Sequence, residues 1–473
     1  LTQDINAPYG ESMFTESEFI MIVGAGPTGL TLARELQRHR TPFRLIEKES
    51  TPFTGSRGKG IQPRTQEILD DLGLITSFQQ HGGDYPELLI HLPGGQETRR
   101  RMDELHDPTP SVPYPNLLMV PQWRTGELLA EGLPIEYGTG LASLTQDESG
   151  VHVTLDTGET LTCRYLVGAD GGRSTVRQLL DIPFEGETHE TERLFIADVR
   201  IEGLDRGNWH IWPGADQRSF RLGLCPLPGT DDFQLTAPPT GQSAEELVAS
   251  VDPSLKVTHV GWTSHFRANI RMVSRYRDGN VFLAGDAAHV HSPAGGQGLN
   301  TGVQDAWNLG WKLATDDQEL LRTYETERLP VAAEVLGVSS RLHQRHVDGE
   351  DDAMRRDDPV LRQLSLHYRG GPLTAEHRAT PGRVRAGDRA PDAPLADGRR
   401  VFDLLRGPHA TLLAFDWPGE LPFEPAHRIS DPTAEEAYDV REPTLFLVRP
   451  DNYIGCATTD PADITAYRAR IGR

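Results

Sequence analysis

An apolar run, Ile20-Met21-Ile22-Val23, enters the turn Gly24-Ala25-Gly26-Pro27-Thr28-Gly29 and leaves it as a helix-like stretch from Leu30 to Leu36. Each glycine has a separate job in such a turn. The first lets the strand turn sharply, the second lets backbone approach a pyrophosphate, and the third lets the helix pack closely on the strand. Phosphates held there would face the helix N-terminus, where free N–H groups and the helix dipole favour negative charge. A second short apolar segment, Arg44-Leu45-Ile46, ends in Glu47-Lys48, and Glu47 is placed to accept hydrogen bonds from an adenosine ribose. Glycines alone also serve ordinary turns. With the strand, the helix and the acid in this order, the stretch predicts a dinucleotide-binding unit, and NAD, NADP and FAD all remain open.

The remaining composition excludes several functions. The 473 residues allow about three domains at ~150 residues each. With 47 basic against 69 acidic residues and a net charge of −22, the chain is a poor match for a nucleic-acid backbone. Its apolar runs are far shorter than the ~20 residues a membrane span needs, so no transmembrane helix is expected. Residues 1–17 lack the pattern of a signal peptide and are expected to form a tail, with Met13 nearer the original start. Cys163, Cys225 and Cys456 are widely spaced, which fits a reducing, cytoplasmic setting without disulfides.

Further along, Gly55-Ser56-Arg57-Gly58-Lys59-Gly60-Ile61-Gln62-Pro63-Arg64 is a basic, glycine-rich loop suited to neutralising a diphosphate, followed by an amphipathic helix. The stretch 79–116 reads as strands and loops, and 135–168 as a half-exposed β-meander. Tyr165-Leu166-Val167-Gly168-Ala169-Asp170-Gly171-Gly172 is a second strand-to-turn unit, with Ser174 available as a helix cap. Residues 183–277 read as β-rich and aromatic, with Trp209 and Ile211 on one face and His210 and Trp212 on the other. A third strand-to-turn unit runs from Val281 through Gly285-Asp286 into a glycine-rich loop, with a helix expected to begin near Val303. His289-x-His291 has no accompanying acid or cysteine cluster, so no metal site is expected. Residues 316–370 read as charged helix, 370–390 as linker, and the tail as small α/β units.

Gly24-x-Gly26-x-x-Gly29, Gly168-Ala169-Asp170-Gly171 and Gly285-Asp286, in this order and spacing, resemble the single-component FAD-dependent aromatic hydroxylases. These are the class A flavoprotein monooxygenases related to para-hydroxybenzoate hydroxylase, and the linker and tail look most like the bacterial branch acting on phenols, polyketides or antibiotics. The resemblance covers about residues 19–460. It implies an α/β fold: a Rossmann-like FAD-binding domain (14–78, 117–182, 278–370), an inserted β-rich substrate domain (79–116, 183–277) and a C-terminal thioredoxin-like domain (380–473). It implies that Gly24, Gly26, Pro27 and Gly29 cradle the FAD pyrophosphate, that Glu47 and Lys48 lie at the ribose, and that Arg57 lies near the pyrophosphate. Gln122 would sit near the ribityl chain, Asp170 and Gly171 in a motif serving FAD and nicotinamide, and Gly285 and Asp286 on the ribityl chain. Pro293, Gly298, Leu299 and Asn300 would border the isoalloxazine ring. NAD(P)H and O2 are the implied co-substrates, and oxygen transfer the implied chemistry, through a flavin C4a-hydroperoxide. No nicotinamide-binding Rossmann unit of its own is present, so nicotinamide is expected to visit. The tail lacks C-x-x-C, so a structural or interface role is expected of it.

The substrate side is less defined. His210, Trp212, Phe220, Arg221, Phe266 and Pro293 are candidate pocket residues, with His210 or Arg221 the candidates to contact a phenol. No catalytic residue is assigned. A halogenase of this fold would carry W-x-W-x-I-P, which Trp209-His210-Ile211-Trp212-Pro213 does not match. Another flavin oxidase or reductase, or a ligand-sequestering resistance protein, stays as an alternative. A small aromatic or polycyclic substrate is expected, and the assembly, with a homodimer among the options, is open.

Overall fold

The computed structural model describes residues 18–215, 219–292, 295–347 and 355–472, apart from the side chains of 188–192, 266–268 and 343–347. The expected N-terminal tail, Pro293, and the side chain of Phe266 therefore lie outside the described residues.

Four short apolar runs become the centre of a six-stranded sheet. Its order is Arg277–Asp278, Val281–Leu283, Tyr165–Gly168, Ile20–Val23, Phe43–Glu47, Ile135–Tyr137, parallel throughout except for the Arg277–Asp278 edge. Parallel strands are covered on both faces, which is why these segments read as continuous hydrophobic runs. Ile20, Met21, Ile22, Leu166, Val167, Phe282 and Leu283 are all buried. Helix Pro27–Arg38 covers one face together with helix Gly298–Thr315. These two helices approach closely because Gly302 and Gly310 carry no side chain: a Cβ there would stand 2.4 Å from Thr28 Oγ1 and 2.5 Å from Glu35 Cγ. A three-stranded antiparallel meander, Leu141–Asp147, Gly150–Leu155 and Thr160–Cys163, makes the crossover to the Tyr165 strand.

The stretches 79–116 and 183–277, separated in sequence, meet in one eight-stranded sheet. Glu87–Leu92 pairs in parallel with Asn208–Pro213, and the long strands Glu185–Glu202 and Lys256–Met272 run antiparallel beside each other. Phe195, Ala197, Val199, Leu222, Leu224, Phe233 and Leu235 pack one face of this sheet against helix Ala244–Val251. The short strand His289–Val290, reached directly from the Gly285-Asp286 turn, pairs with the edge of the same sheet. No helix among the described residues is long and apolar enough to cross a membrane.

The tail forms its own five-stranded sheet, in the order Ala375–Glu376, Ile454–Thr458, Thr444–Val448, Thr411–Phe415, Ala426–Ile429. Alternation sorts its side chains cleanly. Leu413, Phe415, Phe446 and Val448 face one apolar cluster, while Leu412, Ala414, Leu445 and Leu447 face another that contains Trp311 and Leu320 of the long helices. The tail is thus packed onto helices Gly298–Thr315 and Gln318–Val347.

Candidate functional site

The three glycine-containing turns leave the carboxyl ends of adjacent parallel strands, where ligands of open α/β sheets bind. Gly24 has φ +105°, and a Cβ on it would stand 2.5 Å from the Ala169 carbonyl oxygen, so the first and second turns press on each other. A Cβ on Gly29 would stand 2.0 Å from the Gly24 carbonyl oxygen. Gly26 is different: nothing lies within 4 Å of its Cβ position. Gly24 and Gly29 are therefore required by the fold itself, whereas Gly26 faces open space at the start of a helix whose N-cap makes no side-chain bond. A backbone cradle with free N–H donors suits a pyrophosphate. A surface hollow of about 540 Å³ lined by Glu18, Arg164, Tyr165 and Asp316 lies at the amino ends of the same strands, the wrong end for such a ligand.

Glu47 ties the end of its strand to the first turn. One carboxylate oxygen accepts from the Ala25 N–H at 2.9 Å and the other from the Glu49 N–H at 3.0 Å. An ionised carboxylate offers about four acceptor sites, so room remains for ribose hydroxyls. Lys48, next to it, is exposed. Asp170 turns out to be partly a helix cap: its Oδ2 accepts from Thr175 N at 2.7 Å and Val176 N at 3.1 Å. Its Oδ1 is buried without a partner, and burial raises its pKa. Ser174 caps the same short helix, accepting from Arg177 N at 2.9 Å, as its sequence position suggests.

The basic loop is tied to Gln122 and to the segment that follows the third turn. Gly58 N donates to Gln122 Oε1 at 2.8 Å, and a Cβ on Gly58 would meet that oxygen at 3.4 Å and Leu299 Cδ1 at 3.8 Å. Asn300, fully buried, lashes the loop to the helix start: its Oδ1 accepts from Gln62 N at 2.8 Å, and its Nδ2 donates to Gly60 and Gly296 carbonyls at 2.9 Å each. The helix begins at Gly298, not near Val303 as the glycine content suggested, because Asn300 supplies partners for the loop that glycines would otherwise leave loose. Replacing Asn300 by Ala leaves these backbone groups unsatisfied and is expected to cost about 2–4 kcal/mol, read as an earlier urea midpoint.

Asp286 sits on the floor of this cleft, open to solvent beside Gly298, whose Cβ position is 4.0 Å from its Oδ1. The surrounding protein raises its pKa by desolvation, against the lowering effect of His289 and Arg57. Water reaches the carboxylate on one side while protein encloses the others, as expected of a ligand cleft. The His289-x-His291 pair holds the turn in place. His289 Nε2 donates to Asp305 Oδ2 at 2.6 Å, its Nδ1 lies 2.8 Å from His291 Nε2, and Gly285 N donates to the same Asp305 oxygen at 3.1 Å. Arg328 Nε donates to the other Asp305 oxygen at 2.7 Å. Burial drives the His291 pKa well below the ordinary value.

On the substrate side, three of the four expected pocket residues whose side chains are described, His210, Trp212 and Arg221, lie away from the basic loop. Alternation along Asn208–Pro213 sends Trp209 and Ile211 toward the basic loop, and His210 and Trp212 to the opposite face. There His210 Nε2 donates to the Asp205 carbonyl at 2.8 Å, and Trp212 stacks on His91 at 4.4 Å. Arg221 is exposed and donates to the Ser250 carbonyl at 2.7 Å. An irregular pairing, with Pro213 opposite Phe220, turns the Phe220 ring over Gly223 beside Ile211, so Phe220 does face the cleft side. The side chains that approach the loop from the sheet are ones that sequence reading passed over. The Trp262 ring lies on Gly55, Lys59 Nζ lies 4.3 Å over the Trp209 ring, and Lys59 donates to Gln234. No periodicity in the sequence marks these contacts, which join residues nearly two hundred positions apart.

Known proteins share this chain's sequence and fold. Residues 18–339 match the FAD binding domain family. The chain is 44% identical to a flavin-dependent monooxygenase of Mycobacteroides abscessus, over 96% of this chain and 99% of that protein. It is 33% identical to a rifampicin monooxygenase of Streptomyces venezuelae, over 94% and 96% of the two chains. Among solved structures, aklavinone-11 hydroxylase in complex with FAD and aklavinone superposes with a TM-score of 0.81 at 26% identity, covering 97% of this chain and 99% of that one.

Proposed function

The chain belongs to the FAD-dependent aromatic hydroxylases of the class A flavoprotein monooxygenases, and from that premise we propose that it hydroxylates a phenolic, polycyclic substrate of polyketide or antibiotic type. It is an enzyme that binds FAD and uses NAD(P)H and O2. FAD supplies hydride acceptance and oxygen activation when bound, and the chain supplies orientation, exclusion of water and electrostatics.

The open face at Gly26, beside the uncapped N-terminus at Pro27, takes the pyrophosphate, and Glu47 takes the ribose. Asp286, close enough to Arg57 to feel its charge, flanks the middle of the cofactor with it. Gln122, Asp170, Gly171 and Gly285 border the same cofactor, with Lys48, exposed, next to Glu47 at its ribose end. The Gly298-Leu299-Asn300 backbone, at the N-terminus of an 18-residue helix without a side-chain cap, faces the ring and favours negative charge on it. Residues 14–78, 117–182 and 278–370 form the cofactor domain, and 79–116 with 183–277 the substrate domain. Residues 380–473 form a thioredoxin-like domain. Supporting that last assignment, Ala426–Ile429, Thr411–Phe415, Thr444–Val448 and Ile454–Thr458 follow the thioredoxin strand order and directions. Its one cysteine, Cys456, is buried, and burial pushes its thiol up to about 12, so the domain is redox-silent.

The observation that carries the substrate reading is the convergence of the three turns, across the loop 55–62, with a sheet face bearing Trp209, Phe220 and Trp262. Rifampicin and aklavinone, named in the relatives, are large aromatic molecules. Purified holoenzyme mixed with NADPH and a panel of phenols and aromatic polyketides should show substrate-stimulated NADPH oxidation, with one oxygen atom gained by the product. Reduction that no substrate stimulates, with no oxygen incorporated, defeats the reading.

A further inference from the structure

The loop 55–60 faces two ways. Arg57, Gly58 and Gly60 serve the cofactor side through Asp286, Gln122 and Asn300. Ser56 and Lys59 turn to the sheet, where cross-strand pairing sets Trp262, Asp198, Gln234 and Cys225 in one row across four strands. Alternation puts this row opposite the Ala197, Val199 and Leu235 face that packs on helix Ala244–Val251. Gln234 is fully engaged, accepting from Lys59 Nζ and donating to the Ser56 carbonyl. Asp198 is not. It is 6% exposed, and neither its carboxylate oxygens nor the Ser56 hydroxyl meets a partner at hydrogen-bonding distance and angle, although Ser56 stands close enough to offset part of the effect of burial on the carboxyl.

Such an arrangement is costly unless it is used. Buried carboxylates in folded proteins are almost always hydrogen-bonded, and an orphaned one costs more than the apolar residue that would fill the same space. The position supplies what a phenol requires: an acceptor for its hydroxyl, the Lys59 cation nearby, and the Trp262 indole on the neighbouring strand, with Trp209 further along the sheet beneath Lys59.

We propose that Asp198 accepts the hydrogen bond and then the proton of the substrate's phenolic hydroxyl, and that Lys59 holds the oxygen as it becomes a phenolate. This rests on the hydroxylase reading above. The substrate O–H bond breaks and a new O–H bond forms on an Asp198 oxygen; the electron pair stays on the phenolic oxygen, enriching the ring that receives oxygen. No electrons change hands, and Asp198 later returns its proton to solvent. Burial pushes the Asp198 carboxyl up to about 6, with Ser56 and Lys59 pulling it down and Asp232 adding to the rise. It is therefore mostly ionised at neutral pH, yet more basic than an exposed aspartate.

The test uses holoenzyme and 2-naphthol, a phenol that stays uncharged from about pH 5 to about pH 8, with 2-methoxynaphthalene as the partner lacking the hydroxyl. Calorimetric titration of the native protein should show roughly tenfold tighter 2-naphthol binding at the upper end, where Asp198 is ionised, as a charge-assisted bond replaces a neutral one. The methyl ether should show no such dependence. Asp198→Asn should flatten the 2-naphthol profile while keeping its full FAD content and a melting temperature no lower than native. Lys59→Met should move the rise to higher pH, because the cation that favours ionisation is gone. With a turned-over phenol, Asp198→Asn should lower kcat at neutral pH on the order of 100-fold. An identical pH profile in Asp198→Asn and native protein, or a flat profile in both, overturns the proposal. If instead no substrate gains oxygen, the hydroxylase reading fails, and the binding titration still reads Asp198 without turnover.

Discussion

Purified Gly26→Asp protein is expected to be folded and colourless. Gly26 has φ −76° and ψ 176°, a conformation open to any residue, and nothing lies within 4 Å of its Cβ position. Aspartate is also among the preferred residues at a helix N-cap, so the substitution costs the fold nothing and can add a capping bond. What it adds is a negative charge where the pyrophosphate must lie. Like charges at ~4 Å repel by about 1 kcal/mol in full water and about 4 kcal/mol near a protein surface. Steric overlap adds to this, so FAD affinity should fall by roughly 100-fold or more. Circular dichroism and melting temperature should match those of native protein stripped of flavin, while the visible flavin bands are absent. Gly29→Ala is the contrasting case. Its Cβ would stand 2.0 Å from the Gly24 carbonyl oxygen, so the strand and helix must separate, and the loss should appear in stability, about 1–3 kcal/mol or more. Tightly bound yellow flavin in Gly26→Asp would refute the assignment.

The second large effect is expected far from the cofactor, where the tail docks on the long helices. Glu327 accepts from Arg449 Nη1 at 2.6 Å and Nη2 at 3.0 Å, from Lys312 Nζ at 2.7 Å and from Asn308 Nδ2 at 2.9 Å. Asp451 shares Arg449, accepting from its Nε at 2.9 Å, and all of these groups are buried. Removing the central acid strands Lys312 in the interior and leaves Arg449 with Asp451 alone. Glu327→Ala should therefore cost about 3–5 kcal/mol, and adding Lys312→Met should recover part of the loss, because fewer charges are left unpaired. Equilibrium unfolding of the two variants measures both quantities; equal stabilities of native and Glu327→Ala proteins would show the network to be idle.

The same carboxylate sets a pH limit. Burial alone would raise its pKa, but the charges of Arg449 and Lys312 and the bonds from Arg449 and Asn308 outweigh burial and hold it at about 2, against 4.5 for an ordinary glutamate. Because the folded pKa lies below the unfolded one, the stabilisation is complete above 4.5 and is lost as pH falls toward 2. Lys312 shares this carboxylate with Arg449, and burial pulls it down to about 8, so the benefit of the pair resides with the acid. An acid titration of native protein should show this loss of stability, and Glu327→Gln should flatten it.

Much of the cofactor half was legible in the chain. Strand, turn, helix and acid lie within thirty residues of one another, and the physics of that unit is local: backbone reversal at Gly24, close packing at Gly29 and an open face at Gly26. The Asp170 and Gly285 turns are legible for the same reason, since each is a strand end followed by glycine. Local reading failed where one residue serves two structures. Asp170 also caps a helix, and Asn300 draws the glycine-rich segment into the helix it precedes.

The sheet half was only partly legible. Alternation correctly separated Trp209 from His210, but period two says nothing about which face meets the cofactor, and the register shift between Trp212 and Pro213 moves the phase for Arg221. The pairing of Asp198 with Gln234 and Trp262, and their approach to Ser56 and Lys59, depends on strand register and on how the sheet docks against the loop. Neither leaves a mark in any window of sequence. The chain by itself thus determined the strand–turn–helix unit proposed to grip the dinucleotide, because that unit is made of backbone conformation and nearest neighbours. Only the tertiary structure decided which side chains oppose the grip, because burial and charge at Asp198, Lys59 and Glu327 come from segments that sequence holds far apart.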